Sequence, residues 1–359
     1  MDNLTYHREC SWQAGFTLCH NAGIISTVSD KTGTLLSFSK NRDYINTVSL
    51  NIDRNIESAY TGYCYNEDEL FLAPYNADKF LAVNIKKGTV RELTDLSGAI
   101  DNNLQAKYLK VIKMGDVSCV IGEKIHSILF INMSNGYSME KEYSYNNSVF
   151  WTFNHAINGD KIYLASRNEN YLFEIDMSSY SVSEYSVTKD GEDGFNDIYE
   201  KDGRIFLIGK KDENYSWDDN TRKLLKTSGN SDEMTSWFSC SINDCVCHIY
   251  ANKNMLIRED SKGNKTNVLI DIGDVDSING VLFQGTCVVD DSIIFVSRNG
   301  RFFEYEVSNN RLEEIMLNEI DGYDQSFSGV FGKVLMIGTA LEGRDGSLLG
   351  FIEHVVESV

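Results

Sequence analysis

The stretch that decides the fold is "WTFNHAINGDKIYLASRNENYLFEIDMSSYSVSEYSV", residues 151–187. It contains four short segments rich in apolar, β-branched and aromatic residues, separated by the polar turns "NGD", "NEN" and "MSSY". Segments of this composition, bounded by Asn, Asp, Gly and Ser, are typical of β-strands joined by tight turns. The stretch therefore predicts four consecutive antiparallel strands.

The same pattern recurs along the chain. The most apolar strand of each unit begins at residues 23, 69, 117, 161, 204, 246, 292 and 333, at intervals of 41 to 48 residues. For example, "KIYLASR" at 161 corresponds to "SIIFVSR" at 292. A period of about 44 residues with four strands per unit favours a ring of blades. A β-helix would have a shorter repeat, and a β-sandwich would not repeat its sequence.

In this arrangement the chain resembles the β-propeller superfamily, in its architecture and not in the motifs of any one family. We predict one all-β domain over residues 1–359, a propeller of eight four-stranded blades, with seven blades as the alternative. The predicted blades cover residues 15–50, 57–95, 107–143, 150–188, 194–228, 234–272, 278–317 and 322–359. The last unit is one strand short, and residues 3–10 are predicted to complete it. Such a strand would close the ring and remove its open edges.

Composition narrows the classes of partner. The net charge of −20 disfavours nucleic acids and anionic membranes, because both bind cationic surfaces. The first residues lack the apolar run of a signal peptide, and no apolar run is long enough to span a bilayer. Eight cysteines without a secretion signal indicate reduced thiols. We therefore expect a cytoplasmic protein.

The resemblance implies where a binding site would lie. In propellers, the turns between second and third strands share one face with the segments that enter the innermost strands. Arg167, Lys210 and Arg298 occupy equivalent turn positions in the fourth, fifth and seventh units. Tyr75 occupies the same position in the second unit. Because a guanidinium can donate two parallel hydrogen bonds to a planar anion, these residues predict an anion-binding face. The alternative is that an exposed turn tolerates Arg and that duplication copied it.

The segments that enter the innermost strands supply further candidate ligand-binding residues. They are Trp151, Asn154, His155, Trp237, Gln284 and Gln325. Aromatic rings with a few polar groups around a channel mouth are typical of sugar or peptide recognition. The alternative is that a Trp at the start of a blade packs between neighbouring blades.

The sequence therefore predicts a non-catalytic binding module that presents a loop-rich face to a protein, a peptide or an anionic carbohydrate. No cofactor, catalytic residue or metal site is predicted, and the thiols and imidazole of "CSINDCVCH", residues 240–248, lack the spacing of a structural zinc site. Two alternatives remain open. One is a glycoside hydrolase or lyase that uses channel-facing carboxylates, tyrosines or His155, and the other is a pure protein-interaction scaffold.

Overall fold

The computed structural model describes residues 17–28, 34–40, 45–52, 56, 58–188, 193–210, 213–229, 236–250, 253–272, 282–297 and 301–315. Their strands form seven four-stranded antiparallel sheets, and in each sheet the strands follow one another in chain order. This is the β-propeller architecture that the sequence predicts. Within the described ranges, no helix is long and apolar enough to cross a bilayer.

Each blade runs from its innermost to its outermost strand. Blade 1 contains β1 (Cys19–Asn21), β2 (Ile24–Val28), β3 (Thr34–Ser39) and β4 (Ile45–Ser49). Blade 2 contains β5 (Gly62–Asn66), β6 (Glu69–Ala73), β7 (Leu81–Asn84) and β8 (Thr89–Glu92), followed by a 3₁₀ helix, Thr94–Ala99. Blade 3 contains β9 (Tyr108–Met114), β10 (Val117–Gly122), β11 (Ser127–Asn132) and β12 (Ser138–Ser144). Blade 4 contains β13 (Ala156–Asn158), β14 (Lys161–Ala165), β15 (Tyr171–Asp176) and β16 (Ser181–Ser186).

The remaining three blades have the same plan. Blade 5 contains β17 (Phe195–Lys201), β18 (Arg204–Gly209), β19 (Glu213–Asp218) and β20 (Lys223–Gly229). Blade 6 contains β21 (Ser236–Ile242), β22 (Cys245–Tyr250), β23 (Met255–Glu259) and β24 (Lys265–Leu269). Blade 7 contains β25 (Phe283–Val289), β26 (Ser292–Ser297), β27 (Phe302–Glu306) and β28 (Arg311–Ile315).

The second strand of each blade is mostly buried on both faces. All six residues of β10 and all six of β26 are buried, whereas six of the seven residues of the outermost strand β12 are exposed. A sheet that is covered on both faces contains runs of consecutive apolar residues instead of an alternating pattern. This is why the second strand of each unit marks the repeat so clearly in the sequence.

Apolar clusters join each blade to the next. Buried side chains of blades 1 and 2, 2 and 3, 3 and 4, 4 and 5, and 6 and 7 each form a shared cluster. Of the described residues at the seam between blades 5 and 6, only Tyr199, Ile208 and Val246 form a buried cluster. Blade 7 packs against blade 1 through a further cluster that includes Leu36 and Ile294.

The structure shows seven blades and not the eight that the repeat count predicts, in agreement with the alternative count. The rings of Phe38 in blade 1 and Phe302 in blade 7 meet edge to face, with centroids 5.1 Å apart. An eighth blade would have to separate these two rings. The predicted eighth blade, residues 322–359 with 3–10, lies outside the described residues, as does the closing strand that was expected from residues 3–10.

Innermost strands of neighbouring blades lie side by side in five pairs of the described strands: β1 with β5, β5 with β9, β13 with β17, β17 with β21, and β25 with β1. At Gly62 in β5 an added Cβ would lie 2.7 Å from the carbonyl carbon of Lys110 in β9. At Gly285 in β25 it would lie 2.9 Å from the carbonyl carbon of Thr17, just ahead of β1. Because both contacts are with backbone atoms, side chains are excluded where these strands approach each other.

Gly62→Ala should lower the free energy of unfolding by about 1–3 kcal/mol, the range for a side chain forced into a packed site. The matched control is Gly98→Ala in the 3₁₀ helix, where an added Cβ would meet nothing within 4 Å. Equilibrium urea unfolding of both variants measures the difference. Equal stability of the two variants would show that the inner strands do not approach as described.

Candidate functional site

Backbone hydrogen bonds tie the turns between second and third strands to the segments that enter the innermost strands. The amide of Arg167 donates to the carbonyl of Phe150 (2.6 Å), and the amide of Phe195 donates to the carbonyl of Ser166 (2.8 Å). In blade 3, the amide of Glu123 donates to the carbonyl of Lys107 (2.7 Å). These turns and segments therefore share one end of the ring, which we call the mouth.

Arg167 is held at the mouth by an aromatic ring. Its guanidinium lies over the ring of Phe153, 4.8 Å from the centroid, and the side chain is half-buried. No described residue accepts a hydrogen bond from this guanidinium. Burial lowers the pKa of Arg167, and the nearby carboxylate of Glu123 opposes this effect. The group remains charged and keeps its donors available.

Glu123 lies near Arg167 and Lys110, His155 lies near Lys110, and both side chains are half-buried. Burial raises the pKa of the Glu123 carboxyl, and the charges of Arg167, Lys110 and Lys124 partly oppose the rise. Desolvation and the neighbouring Lys110 ammonium lower the pKa of His155 to about 3, so its imidazole is neutral at physiological pH. The mouth thus combines a cation, a carboxylate and a neutral imidazole.

A buried polar network lies beneath this group and spans blades 3 to 6. Lys110 Nζ donates to the carbonyl of Asn154 (2.6 Å), and the Asn154 amide donates to the carbonyl of Ser239 (2.8 Å). Asp197 accepts hydrogen bonds from Ser239 Oγ (2.5 Å) and Ser236 Oγ (2.9 Å). All five residues are less than 9% exposed. Because every member has a partner, the network can fix the inner strands at the mouth.

Burial also changes the protonation of the network. It lowers the pKa of Lys110 to about 7, with the Asp197 carboxylate opposing the change. It raises the pKa of Asp197 to about 6, while hydrogen bonds from Ser239, Asn154 and Ser236 oppose the rise. Both groups thus titrate much closer to neutrality than they would in water.

Of the candidate residues, Arg167 lies near Glu123, and His155 lies near Lys110. Asn154, whose Oδ1 accepts a hydrogen bond from the His155 amide, belongs to the buried network. Lys210 is half-buried in blade 5, where its carbonyl is 3.4 Å from the Asn196 amide. Tyr75 is half-buried and packs on the apolar cluster between blades 3 and 4.

Trp151 is buried in that seam and is 1% exposed. Its indole N–H donates to the carbonyl of Gly122 (2.8 Å), and its ring lies edge-on to Phe173 with centroids 4.7 Å apart. Trp151 therefore packs between neighbouring blades, which is the alternative given above for a Trp at the start of a blade. Trp237 lies in β21 and Gln284 in β25, with side chains outside the described part, and Arg298 and Gln325 are likewise outside it.

Sequence reasoning missed Lys110, Glu123 and Asp197. Glu123 follows "VSCVIG" at the turn position that Arg167 occupies after "KIYLAS", so the same alignment of units could have found it. Lys110 and Asp197 are charged residues with apolar neighbours in the buried parts of two inner strands, "YLKVIKM" and "FNDIYEK". A charge inside a buried strand is the signal that was available for both.

Comparison with known proteins adds information on the fold. No family model matches the chain, and no curated protein matches it. A catalytically inactive virginiamycin B lyase from Staphylococcus aureus, solved with quinupristin, is 12% identical with a TM-score of 0.64, covering 82% of this chain and 95% of the lyase. YCF48 bound to D1 peptide is 11% identical with a TM-score of 0.63, covering 82% of this chain and 94% of the YCF48 chain. BamB from Moraxella catarrhalis is 9% identical with a TM-score of 0.54, covering 81% and 84%.

These similarities show the propeller fold alone. At such low identity, what the solved proteins bind or cleave does not transfer to this chain. The set includes a lyase and a peptide-bound protein, so the fold itself is compatible with catalysis and with binding.

Two variants should change the pH dependence of stability in opposite directions. Below pH 6.5 an unfolded His takes up a proton that folded His155, with a pKa of about 3, does not, so this residue costs about 1–2 kcal/mol of stability between pH 6.5 and 5. His155→Gln should therefore flatten the loss of stability on acidification.

Asp197 acts in the opposite direction. With a pKa of about 6 in the folded protein, it takes up a proton at a higher pH than in the unfolded chain, which favours the folded protein as the pH falls. Asp197→Asn removes this contribution and should steepen the loss of stability on acidification.

Urea unfolding at several pH values between 4.5 and 7 measures both slopes against the unmodified protein. Parallel curves for all three proteins would contradict the burial of these two groups.

Proposed function

We propose that this propeller is a binding protein whose mouth receives a peptide segment of a protein partner, with Arg167 as the anchor for a carboxylate. The observation that carries the proposal is the half-buried guanidinium over Phe153, which has no hydrogen-bond acceptor among the described residues. A cation that is held in place before binding loses little side-chain entropy when an anion arrives. Its planar geometry suits a carboxylate better than a single point charge would.

An exposed aromatic ring beside Arg167 supports a peptide as the ligand. Phe150 is 46% exposed, and its carbonyl accepts the hydrogen bond from the Arg167 amide. Arg and aromatic residues dominate the binding energy of many protein interfaces. Glu123 adds an acceptor for a peptide N–H, and the neutral His155 adds one ring acceptor and one donor. The mouth therefore suits an acidic group flanked by an apolar side chain.

The net charge of −20 affects which partner can approach. Over long distances it repels acidic proteins and attracts basic ones. At physiological ionic strength charges are screened beyond about 8 Å, so a local carboxylate can still pair with Arg167. We therefore favour a partner that is basic overall and presents one acidic segment.

The electrostatics of the mouth favour binding over acid–base catalysis. A general base works best with a pKa near the working pH, and His155, at about 3, is a weak base there. Lys110 has a suitable pKa of about 7, but its ammonium is buried and donates to the Asn154 carbonyl. Glu123, with its raised pKa, is the group that a lyase or glycosidase activity would have to use.

The cytoplasm remains our proposed location, and the seven described cysteines agree with it because all are free thiols.

The test selects peptides on the intact protein from a displayed random library and measures their affinity by fluorescence anisotropy. Arg167→Gln should weaken the selected peptides about 10- to 100-fold, the range for losing a charge-assisted hydrogen bond. Phe150→Ala should also weaken them, without a large loss of stability, because the ring is already largely exposed. The matched control is Arg204→Gln at the exposed start of β18, which should stay within about twofold, as expected of a rim charge.

Peptides that bind the Arg167 and Phe150 variants as tightly as the unmodified protein would overturn the proposal. Selection of sugar acids over peptides on a parallel glycan array would redirect it to anionic carbohydrate. Turnover of a glycan by the unmodified protein, lost in Glu123→Gln, would replace it with the enzyme alternative.

A further inference from the structure

Among the described residues, the seam between blades 5 and 6 borders a partly open cavity, whereas the other seams have an extended apolar cluster. Only Tyr199, Ile208 and Val246 form a buried cluster there within the described residues, with Phe206 partly buried beside them. A cavity of about 220 Å³ lies between β17–β20 on one side and β21–β24 on the other. Protein interiors rarely leave such a volume empty, because unfilled space forfeits packing energy.

The cavity has aromatic walls and two polar groups without partners. Tyr199 stacks on Phe206 with centroids 5.3 Å apart, and the ring of His248 meets Tyr199 edge to face at 5.7 Å. Within the described ranges, neither the Tyr199 hydroxyl nor His248 Nε2 has a hydrogen-bond partner. Both residues line the cavity. The hydroxyl and the ring nitrogen are therefore available to hydrogen-bond a ligand that enters the cavity.

The hydrogen bonds behind His248 determine its tautomer. His248 Nδ1 lies 2.7 Å from Ser239 Oγ, and Ser239 Oγ lies 2.5 Å from Asp197 Oδ2. The ionised Asp197 takes the only hydroxyl proton of Ser239, so His248 Nδ1 must carry a hydrogen and donate to Ser239. Nε2 then bears a lone pair and is an acceptor. The imidazole is neutral because burial, with the charges of Lys265 and Lys201, lowers its pKa to about 4.

Charged residues from both blades line the cavity around this acceptor. Lys201 comes from β17 and Lys265 from β24, and both ammonium groups act on His248. Lys265 forms a loose ion pair with Glu259, at 3.8 Å. The described lining residues thus include two cations and one carboxylate, on a protein whose net charge is −20. Such a local field selects an anionic ligand.

From these observations we infer a small-molecule site between blades 5 and 6 that binds a single-ring aromatic carboxylate carrying a hydroxyl group. Benzene occupies a cavity of about 150 Å³, so about 220 Å³ suits one ring with two small substituents. The ring packs between Tyr199, Phe206 and Val246. The hydroxyl donates to His248 Nε2, and the carboxylate pairs with Lys201 and Lys265. This site is separate from the mouth and does not depend on the function proposed there.

Calorimetric titration with 4-hydroxybenzoate tests the site on the full chain, with benzoate and phenol as matched probes. One molecule of 4-hydroxybenzoate should bind, and benzoate and phenol should each bind at least about 5-fold more weakly, since each lacks one polar contact worth about 1 kcal/mol or more. Lys201→Gln combined with Lys265→Gln should weaken 4-hydroxybenzoate at least about 10-fold, as expected for losing hydrogen bonds to charged groups. The control is Lys87→Gln, an exposed turn residue of blade 2, which should leave the affinity unchanged.

Val246→Phe should fill the cavity and abolish binding while thermal unfolding stays cooperative. If that variant fails to fold, the lysine pair still decides the matter, because both are at the margin of the cavity. The inference is overturned if 4-hydroxybenzoate at 10 mM produces no binding signal. It is equally overturned if the lysine double variant, or a folded Val246→Phe, binds as well as the unmodified protein.

Discussion

A four-stranded blade that is apolar on both faces can be stable only with a neighbour on each side, and this constraint controls the rest of the molecule. Strands such as β10 and β26, buried along their whole length, would otherwise expose continuous apolar surface. Most seams bury several large side chains, and the area that they remove from water stabilises the ring at about 25 cal/mol per Å². Blades 1 and 7 cover each other, and the rings of Phe38 and Phe302 meet at their contact.

The two candidate sites lie where the structure departs from simple apolar packing. At the mouth, Lys110 and Asp197 are buried in a network that holds the entry segments of blades 3 to 6 together. Burying a charge costs desolvation free energy, so this network is better explained by its fixing of the entry segments than by a contribution to stability. Between blades 5 and 6 the apolar cluster shrinks, and Ser239 links the mouth network to His248 at the cavity. One network thus borders both sites.

Much of the fold could be predicted from the sequence because a doubly covered strand produces a continuous apolar run. Each of the seven described sheets contains one of the first seven marker strands, from "GIISTVS" to "SIIFVSR". The blade count could not be settled this way, because counting repeats does not show which blades touch. Nothing in the sequence around Phe38 and Phe302 indicates that their rings are in contact.

The sites were predictable only in part. Arg167 could be placed at the mouth, since repeat alignment gives turn positions, whereas His155 was a candidate only because it follows Trp151 at the entry to an inner strand. The alignment does not tell which aromatic residues face a seam, and Trp151 lies buried there. The cavity between blades 5 and 6 could not be predicted from the sequence, because "RIFLIGK" and "VCHIYAN" are as apolar as the corresponding strands at filled seams. Its existence depends on how two sheets meet, and no single segment determines that.

A double-mutant cycle on Phe38 and Phe302 tests the direct contact of blades 7 and 1, on which the seven-blade ring depends. Phe38→Ala, Phe302→Ala and the double variant are compared by urea unfolding, with Phe38→Ala and Phe173→Ala of blade 4 as the distant control pair. The seven-blade ring predicts a coupling energy of about 0.5–1.5 kcal/mol for the first pair, the range for aromatic contacts, and additivity for the control. Additivity of the first pair within about 0.3 kcal/mol would mean that the rings do not touch, and would contradict the account.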